Sequence, residues 1–493
     1  MSGRPEVERV VREVISVILP AADPARVAAA TTLKELGADS VDRVEIVVEA
    51  MDRLGVVAPH VGLQRPARPR RPGRPAARAE AGVSAYGIEA VNAYLGVACI
   101  PVPELFRGRG LDPARLANLM MSERSIGLPV EDPVTNAVNA AKPIVDALDP
   151  AERDRIELLV TSTESGVDLS KSVASYVHRH LGLSPKCRVV EVKQACYAAT
   201  AAVQLAVGYL ASGVSPGAKA LVIATDVALV DARAEYAEPA TGHGAAAVLL
   251  GDDPAVLAMD LGAFGNHSYE TLDSARPTPE FDIADVDRSL FAYLDCLANS
   301  FADYADKVED ADFVDTFDHL VMHTPFVGLV KAAHRKMMRD LRRAAPAEIE
   351  ADFERRLRPA TAYASRVGNL CSGSVYLGLA SAIDNAALGG GVRLGLYSYG
   401  SGCSAEFFSG VTDPRAAATV RAGRIAERLD ARVELTFAEY DLLLKETLRC
   451  LVPVRDREVD LARWDEYLDR VPGREPMLVL SHVEDYHRQY EWR

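Results

Sequence analysis

Three side chains with the right chemistry for acyl transfer stand just beyond short apolar runs. Cys196 lies in EVKQACYAATAAVQ, where an alternating segment runs into a row of small helix formers. Glu164 follows LLVTST, and His323 ends HLVMH. A free thiol has a pKa of about 8.5, so less than a tenth is thiolate at neutral pH. A helix N-terminus favours the anion by about 0.3–1 kcal/mol, and up to ~2 where partly buried. Activation of Cys196 is therefore expected to need further help from a nearby cation or a base such as His323. Taken together, the three side chains supply a nucleophile, a base for a carbon-bound proton and a donor for an acyl oxygen. Each alone has a plainer reading: a packed cysteine, a capping acid, a satisfied histidine.

The elements that must position them follow from the pattern. Apolar runs at 156–162, 188–193, 220–225, 246–250, 319–323 and 393–399 read as strands. Long helical patterns such as TAAVQLAVGYLASG and GSVYLGLASAIDNAAL lie between them. This alternation predicts an α/β body with a largely parallel sheet covered on both faces, and such sheets place their sites at the C-terminal strand ends. Two further segments have that placement: VGNLCSGS with Asn369, and YSYGSGCSAEF with a glycine turn around Ser401. Residues 411–493 are more charged and are expected to wrap the body as helices and a closing strand.

The whole chain sets bounds on function. It has 493 residues, 49% hydrophobic and 25% charged, which is ordinary globular composition. A net charge of −15 argues against nucleic acid as the main partner. No stretch approaches the apolar length of a membrane span, and the charged N-terminus lacks a secretory core, so a cytoplasmic protein is expected. Seven scattered cysteines without a CxxC pair predict neither a disulfide framework nor a metal centre.

ACYAAT, MHTPF, VGNLCSGSVYLGLAS and YSYGSG, in that order, resemble the 3-hydroxy-3-methylglutaryl-CoA synthase family, with the match running from about Ala85 to the end. YGIEAVNAYLG, RPTPEFD, SLFAYLDC and EDYHRQYEWR are more similar to its polyketide branch, whose members install β-methyl branches on carrier-bound chains. The resemblance implies a thiolase-like αβαβα body of two similar halves, and a homodimer. It also implies roles. Cys196 takes an acetyl group from a thioester, and Glu164 removes a methyl proton to give the nucleophilic enolate. His323 polarises the acceptor ketone, with Asn369 orienting it. Backbone N–H groups of Cys196 and Ser401 form an oxyanion hole, and water finally hydrolyses the enzyme thioester. One residue departs from the family: Cys371 stands where tyrosine is usual, and a small packed side chain is the expectation there. Alternatives are a synthase of primary metabolism using CoA thioesters, a decarboxylative ketoacyl synthase of the same fold, and a non-catalytic scaffold.

Residues 1–57 form a separate unit of two amphipathic helices, joined by TTLKELGADS. ELGADSVDRVEIV is similar to the acyl carrier protein motif, which implies phosphopantetheine on Ser40 and acyl carrier proteins as partners, one giving acetyl and one presenting the β-ketoacyl chain. The further helices of a carrier have no counterpart after Val56, where the Pro- and Arg-rich stretch 58–84 reads as an extended linker. The body is then 85–493.

Overall fold

The computed structural model describes residues 4–19, 22, 27, 31–33, 35–38, 40–56, 85–227, 237–447 and 449–493. The expected linker, 58–84, falls wholly outside them. Two helices open the chain, α1 (Arg4–Ile18) and α2 (Ser40–Leu54). Val10, Val14, Ile15 and Ile18 of α1 pack on Ile46 and Ala50 of α2, the faces their helical spacing marks as apolar.

The body is built on nine strands: β1 (Gly87–Tyr94), β2 (Ile156–Ser162), β3 (Arg188–Val192), β4 (Lys219–Val227), β5 (His243–Gly251), β6 (Leu257–Ser268), β7 (His319–Met322), β8 (Arg393–Gly400) and β9 (Ser404–Thr412). They form one sheet in the order β7-β8-β9-β6-β1-β5-β4-β2-β3. The sheet is mixed, not largely parallel: three of its eight pairings are parallel. The reason is local. β8 and β9 are joined by a tight turn, which only antiparallel neighbours permit.

The order contains a repeat. Reading outward from the middle, β1-β5-β4-β2 pair antiparallel, antiparallel and parallel, and β6-β9-β8-β7 do the same. β3 extends the first half and has no counterpart in the second.

Helices cover both faces of each half. The principal ones are α3 (Pro133–Asp146), α4 (Ala198–Ala211), α5 (Val286–Lys307), α6 (Val327–Arg342) and α7 (Ser374–Asn385). Strand alternation assigns the layers. Ala220, Val222 and Ala224 of β4 face an inner core with α4 and α7, while Leu221 and Ile223 face an outer core with α3. In the second half, Leu394 and Leu396 of β8 face the same inner core, and Tyr397 and Tyr399 face an outer one with α5 and α6. The result is the five-layered αβαβα body expected of a thiolase-like fold. Small residues make the central layer possible: Ala199, Ala202 and Ala206 of α4 are buried there, and Thr200 meets Tyr376 of α7 at 3.2 Å.

The C-terminal segment ends in a hairpin of Leu478–Glu484 with His487–Trp492, rather than a single closing strand. Among the described residues, no helix is long and apolar enough to cross a membrane.

Candidate active site

Cys196 sits two residues ahead of α4, in the turn that leaves β3. The preceding residue, Ala195, has φ +43°, a left-handed conformation that costs a non-glycine residue about 1–3 kcal/mol and persists where surroundings enforce it. The enforcing surface is the turn after β8. A Cβ on Gly400 would lie 2.4 Å from the Tyr197 backbone nitrogen and 2.6 Å from the Gln194 carbonyl oxygen. Gly400→Ala is therefore expected to lower stability by about 1–3 kcal/mol and to lift the Cys196 turn off its support. A thermal melt and the rate of Cys196 alkylation check this. A lower melting temperature and faster alkylation are expected, and native values for both would contradict the packing argument.

The Cys196 thiol donates to Glu164 Oε1 across 3.6 Å. Glu164 is held by its backbone: its N–H donates to Asp226 Oδ1 at 2.9 Å, and its carbonyl accepts from Arg276 Nη1 at 3.1 Å. Asp226, at the end of β4, also accepts from Thr163 and Ser165 hydroxyls at 3.1 and 3.0 Å. Arg276 is anchored on Asp282 at 2.6 and 2.9 Å. Burial, and then the charge of Glu164, hold the Asp226 carboxyl well above the usual range.

His323 is almost wholly buried just beyond β7. Burial pushes its pKa down to about 3, so the ring is neutral at physiological pH. Nδ1 lies 2.6 Å from Ser374 Oγ, which already accepts the Thr324 N–H at 3.2 Å. Ser374 Oγ has its hydroxyl proton left to donate, and we assign it to Nδ1. This assigns the ring N–H to Nε2. A neutral N–H donor can polarise a carbonyl without supplying a full charge.

Asn369 is fixed by its main chain to the strand leading into β5: its N–H donates to the Ala240 carbonyl, and its own carbonyl accepts from Gly242 at 3.0 Å. Its side-chain oxygen accepts the Cys371 N–H at 3.0 Å. The turn carrying Ser401 is pinned by the fully buried Asp273, which accepts from Gly402 N–H at 2.9 Å and Tyr399 hydroxyl at 2.6 Å. All five body residues singled out from the sequence line one cavity of about 900 Å³. Ser40 begins α2, and its side chain lies outside the described residues.

Two expectations are sharpened. The helix end was expected to fall short of activating Cys196, and the Cys196 thiol keeps its proton at rest. The Cys371 thiol, hydrogen-bonded to its sulfur, pulls its pKa down, but burial and the carboxylates of Glu164 and Asp226 outweigh this and push it up to about 11. His323, being neutral, offers no compensating charge. Nor is Cys371 merely packed. Its φ of +46° and its N–H bond to Asn369 swing its sulfur onto Cys196.

Asp226, Arg276 and Ser374 were missed from sequence. Asp226 closes ALVIATD and obeys the same strand-end rule as Glu164, so that signal was available. Ser374 and Arg276 act through contacts between distant segments, which leave no local pattern.

α2 meets the body beside this cavity. Glu45, almost wholly buried, pairs with Arg335 and Arg339 of α6, and Asp42 lies 3.4 Å from Arg335. Val44 joins the outer core of the second half, and Arg43 lines the cavity.

The model of the hydroxymethylglutaryl-coenzyme A synthase N-terminal region matches residues 85–255, and that of its C-terminal region matches 339–451. A phosphopantetheine attachment site model matches residues 9–61. The chain is 45% identical over 421 residues to the polyketide biosynthesis 3-hydroxy-3-methylglutaryl-ACP synthase PksG of Bacillus subtilis, covering 82% of this chain and 99% of that one. It is 33% identical over 383 residues to hydroxymethylglutaryl-CoA synthase of Enterococcus faecalis, covering 77% and 95%. The crystal structure of the curacin biosynthetic pathway HMG synthase in complex with acetyl donor-ACP superposes with a TM-score of 0.81 at 44% identity, covering 83% of this chain and all of that one. With the αβαβα body and the shared cavity, these matches show that the chain belongs to the hydroxymethylglutaryl-CoA synthase family.

Proposed function

We propose that the protein joins an acetyl unit, held as a thioester on Cys196, to the β-ketone of a carrier-borne β-ketoacyl thioester. The product is a 3-hydroxy-3-methylglutaryl-type chain, the first step of β-branching in polyketide synthesis. The observation that carries this reading is the 3.6 Å contact between a thiol and a carboxylate in one cavity with a neutral histidine. A decarboxylative synthase of the same fold has no use for that carboxylate.

The chemistry follows from the placements. Cys196 attacks the donor thioester as its proton passes to Glu164, and Glu164 returns that proton to the departing thiolate. Glu164, again a carboxylate, takes a proton from the acetyl methyl group. Backbone N–H groups of Cys196 and Ser401 stabilise the enolate oxygen; a missing donor at such a position typically costs about 2.7–4 kcal/mol. The enolate carbon attacks the ketone, whose oxygen is held by the His323 Nε2 proton and the Asn369 amide and receives a proton from Glu164. Water then cleaves the Cys196 thioester.

The division 1–57, 58–84 and 85–493 gives each part a task in this scheme. Residues 1–57 act as the donor carrier with phosphopantetheine on Ser40, the group that supplies a long arm ending in a thiol. The match over residues 9–61 and the donor-ACP complex of the curacin enzyme support a carrier donor. The cavity fits such an arm: Arg43 lines it, and a guanidinium there suits a phosphate. β3 leaves a sheet edge with Val189 and Val190 exposed, which supports a homodimer formed edge to edge. The reaction belongs in the cytoplasm, with its carrier partners.

Peptide mass spectrometry after treatment with a phosphopantetheinyl transferase and acetyl-CoA tests the scheme. Mass is expected on Ser40 and acetyl on Cys196. An unmodified Ser40 removes the built-in donor, and an unacetylated Cys196 removes the enzyme.

A further inference from the structure

We propose that Cys196, Cys371 and Glu164 form a binding site for a soft divalent cation, with zinc as the natural occupant, and that occupation switches the enzyme off. The ligand atoms of these three residues all lie within 4.8 Å of one another. Bond lengths of about 2.3 Å to sulfur and about 2.1 Å to oxygen in a tetrahedron put ligand atoms roughly 3.5 Å apart for sulfur and oxygen and roughly 3.8 Å for two sulfurs. The Cys196 sulfur and Glu164 Oε1 stand at 3.6 Å already.

The site is held in shape without a cation. Asp226 fixes the Glu164 backbone at 2.9 Å, and Asn369 fixes that of Cys371 at 3.0 Å. Its fourth position opens to the cavity and suits a water or a substrate thiol. Two sulfurs and one oxygen select zinc or cadmium over magnesium or calcium. Binding releases the two thiol protons, so two thiolates and one carboxylate surround a charge of +2. Arg276, on the Glu164 carbonyl, offsets the remaining negative charge.

Cys371 makes the site possible, because the tyrosine usual in the family offers no sulfur. The consequence for activity is direct. Both the nucleophile and the base become ligands, and neither can react until a chelator or competing thiol removes the cation.

The test uses the full chain, reduced and freed of metal, with cadmium chloride as the only addition. Thiolate-to-cadmium absorption is expected to saturate at one equivalent per chain. Peptide-resolved alkylation, which separates these cysteines from the others, is expected to show Cys196 and Cys371 protected until a chelator is added. Cys371→Ser is expected to weaken binding by more than the about 10–100-fold that even an outer-shell partner costs. Cys371→Tyr serves as a second variant should the first fail to fold. Protection of Cys196 that persists in either variant, or wild-type cysteines alkylated equally with and without cadmium, overturns the proposal. Neither readout depends on condensation, so the result is distinct from that of the functional scheme.

Discussion

Glu164→Ala is expected to take up acetyl on Cys196 and then fail to use it. The carboxylate is one of the groups that keeps the Cys196 proton in place, so its removal lowers the thiol's pKa from about 11 and leaves acylation open through solvent. Condensation has no such substitute. The acetyl methyl group is a weak carbon acid, and a positioned base typically contributes about 10²–10⁴-fold. Among the described hydrogen bonds to the Cys196 sulfur, Glu164 is the sole carboxylate partner. The measurement is the acetyl-enzyme fraction by intact mass, alongside product formation from a carrier-bound β-ketoacyl thioester. A variant that condenses at the native rate would remove Glu164 from the chemistry and favour a decarboxylative reaction. A variant that neither acylates nor condenses would make Glu164 essential to the first step as well.

Cys196→Ala is expected to abolish both half-reactions. Loss of a covalent nucleophile in an enzyme that acts through an acyl intermediate costs on the order of 10⁶-fold. The neighbouring thiol makes this more than a formality. The Cys371 sulfur lies within 4.8 Å of the Cys196 sulfur and shares the cavity, so it is the group that could accept acetyl in its place. The substitution removes the hydrogen bond to Cys196 that does most to raise its proton, but burial and the charges of Glu164 and Asp226 remain and still hold that proton above the usual range. No acetyl is therefore expected on the peptide containing Cys371. Acetyl found there in Cys196→Ala would make the pair an acyl relay.

The residues proposed to carry chemistry were legible because each ends an apolar run, and a polar group at a strand's C-terminal end stands out against it. Cys196, Glu164 and His323 were found that way, and all three line the cavity. Asn369 and Ser401 came from the glycine-containing segments beside them. The strand direction was harder to read. Alternating strands and helices suggest parallel crossovers, yet β1, β6 and β9 insert antiparallel, and a strand's own residues do not record its neighbour's direction. That the helix end alone cannot activate Cys196 was legible; that burial beside two carboxylates opposes activation could be counted only in three dimensions.

Two acids of α2, Asp42 and Glu45, face the body, where Arg335 and Arg339 of α6 pair with them.

The internal repeat has a consequence for how this enzyme can change. Glu164 follows β2 and Cys196 follows β3, both in the first half, while His323, Asn369 and Ser401 belong to the second. On the proposed scheme the thiol and the base come from the first half and the acceptor's hydrogen-bond donors from the second, while the Ser401 turn reaches across to the acetyl oxygen, so the cavity is the seam between the halves. Substitutions around β2 and β3 are then expected to bear on acyl loading, those around β7 on the ketone, and those in the turn after β8 on both.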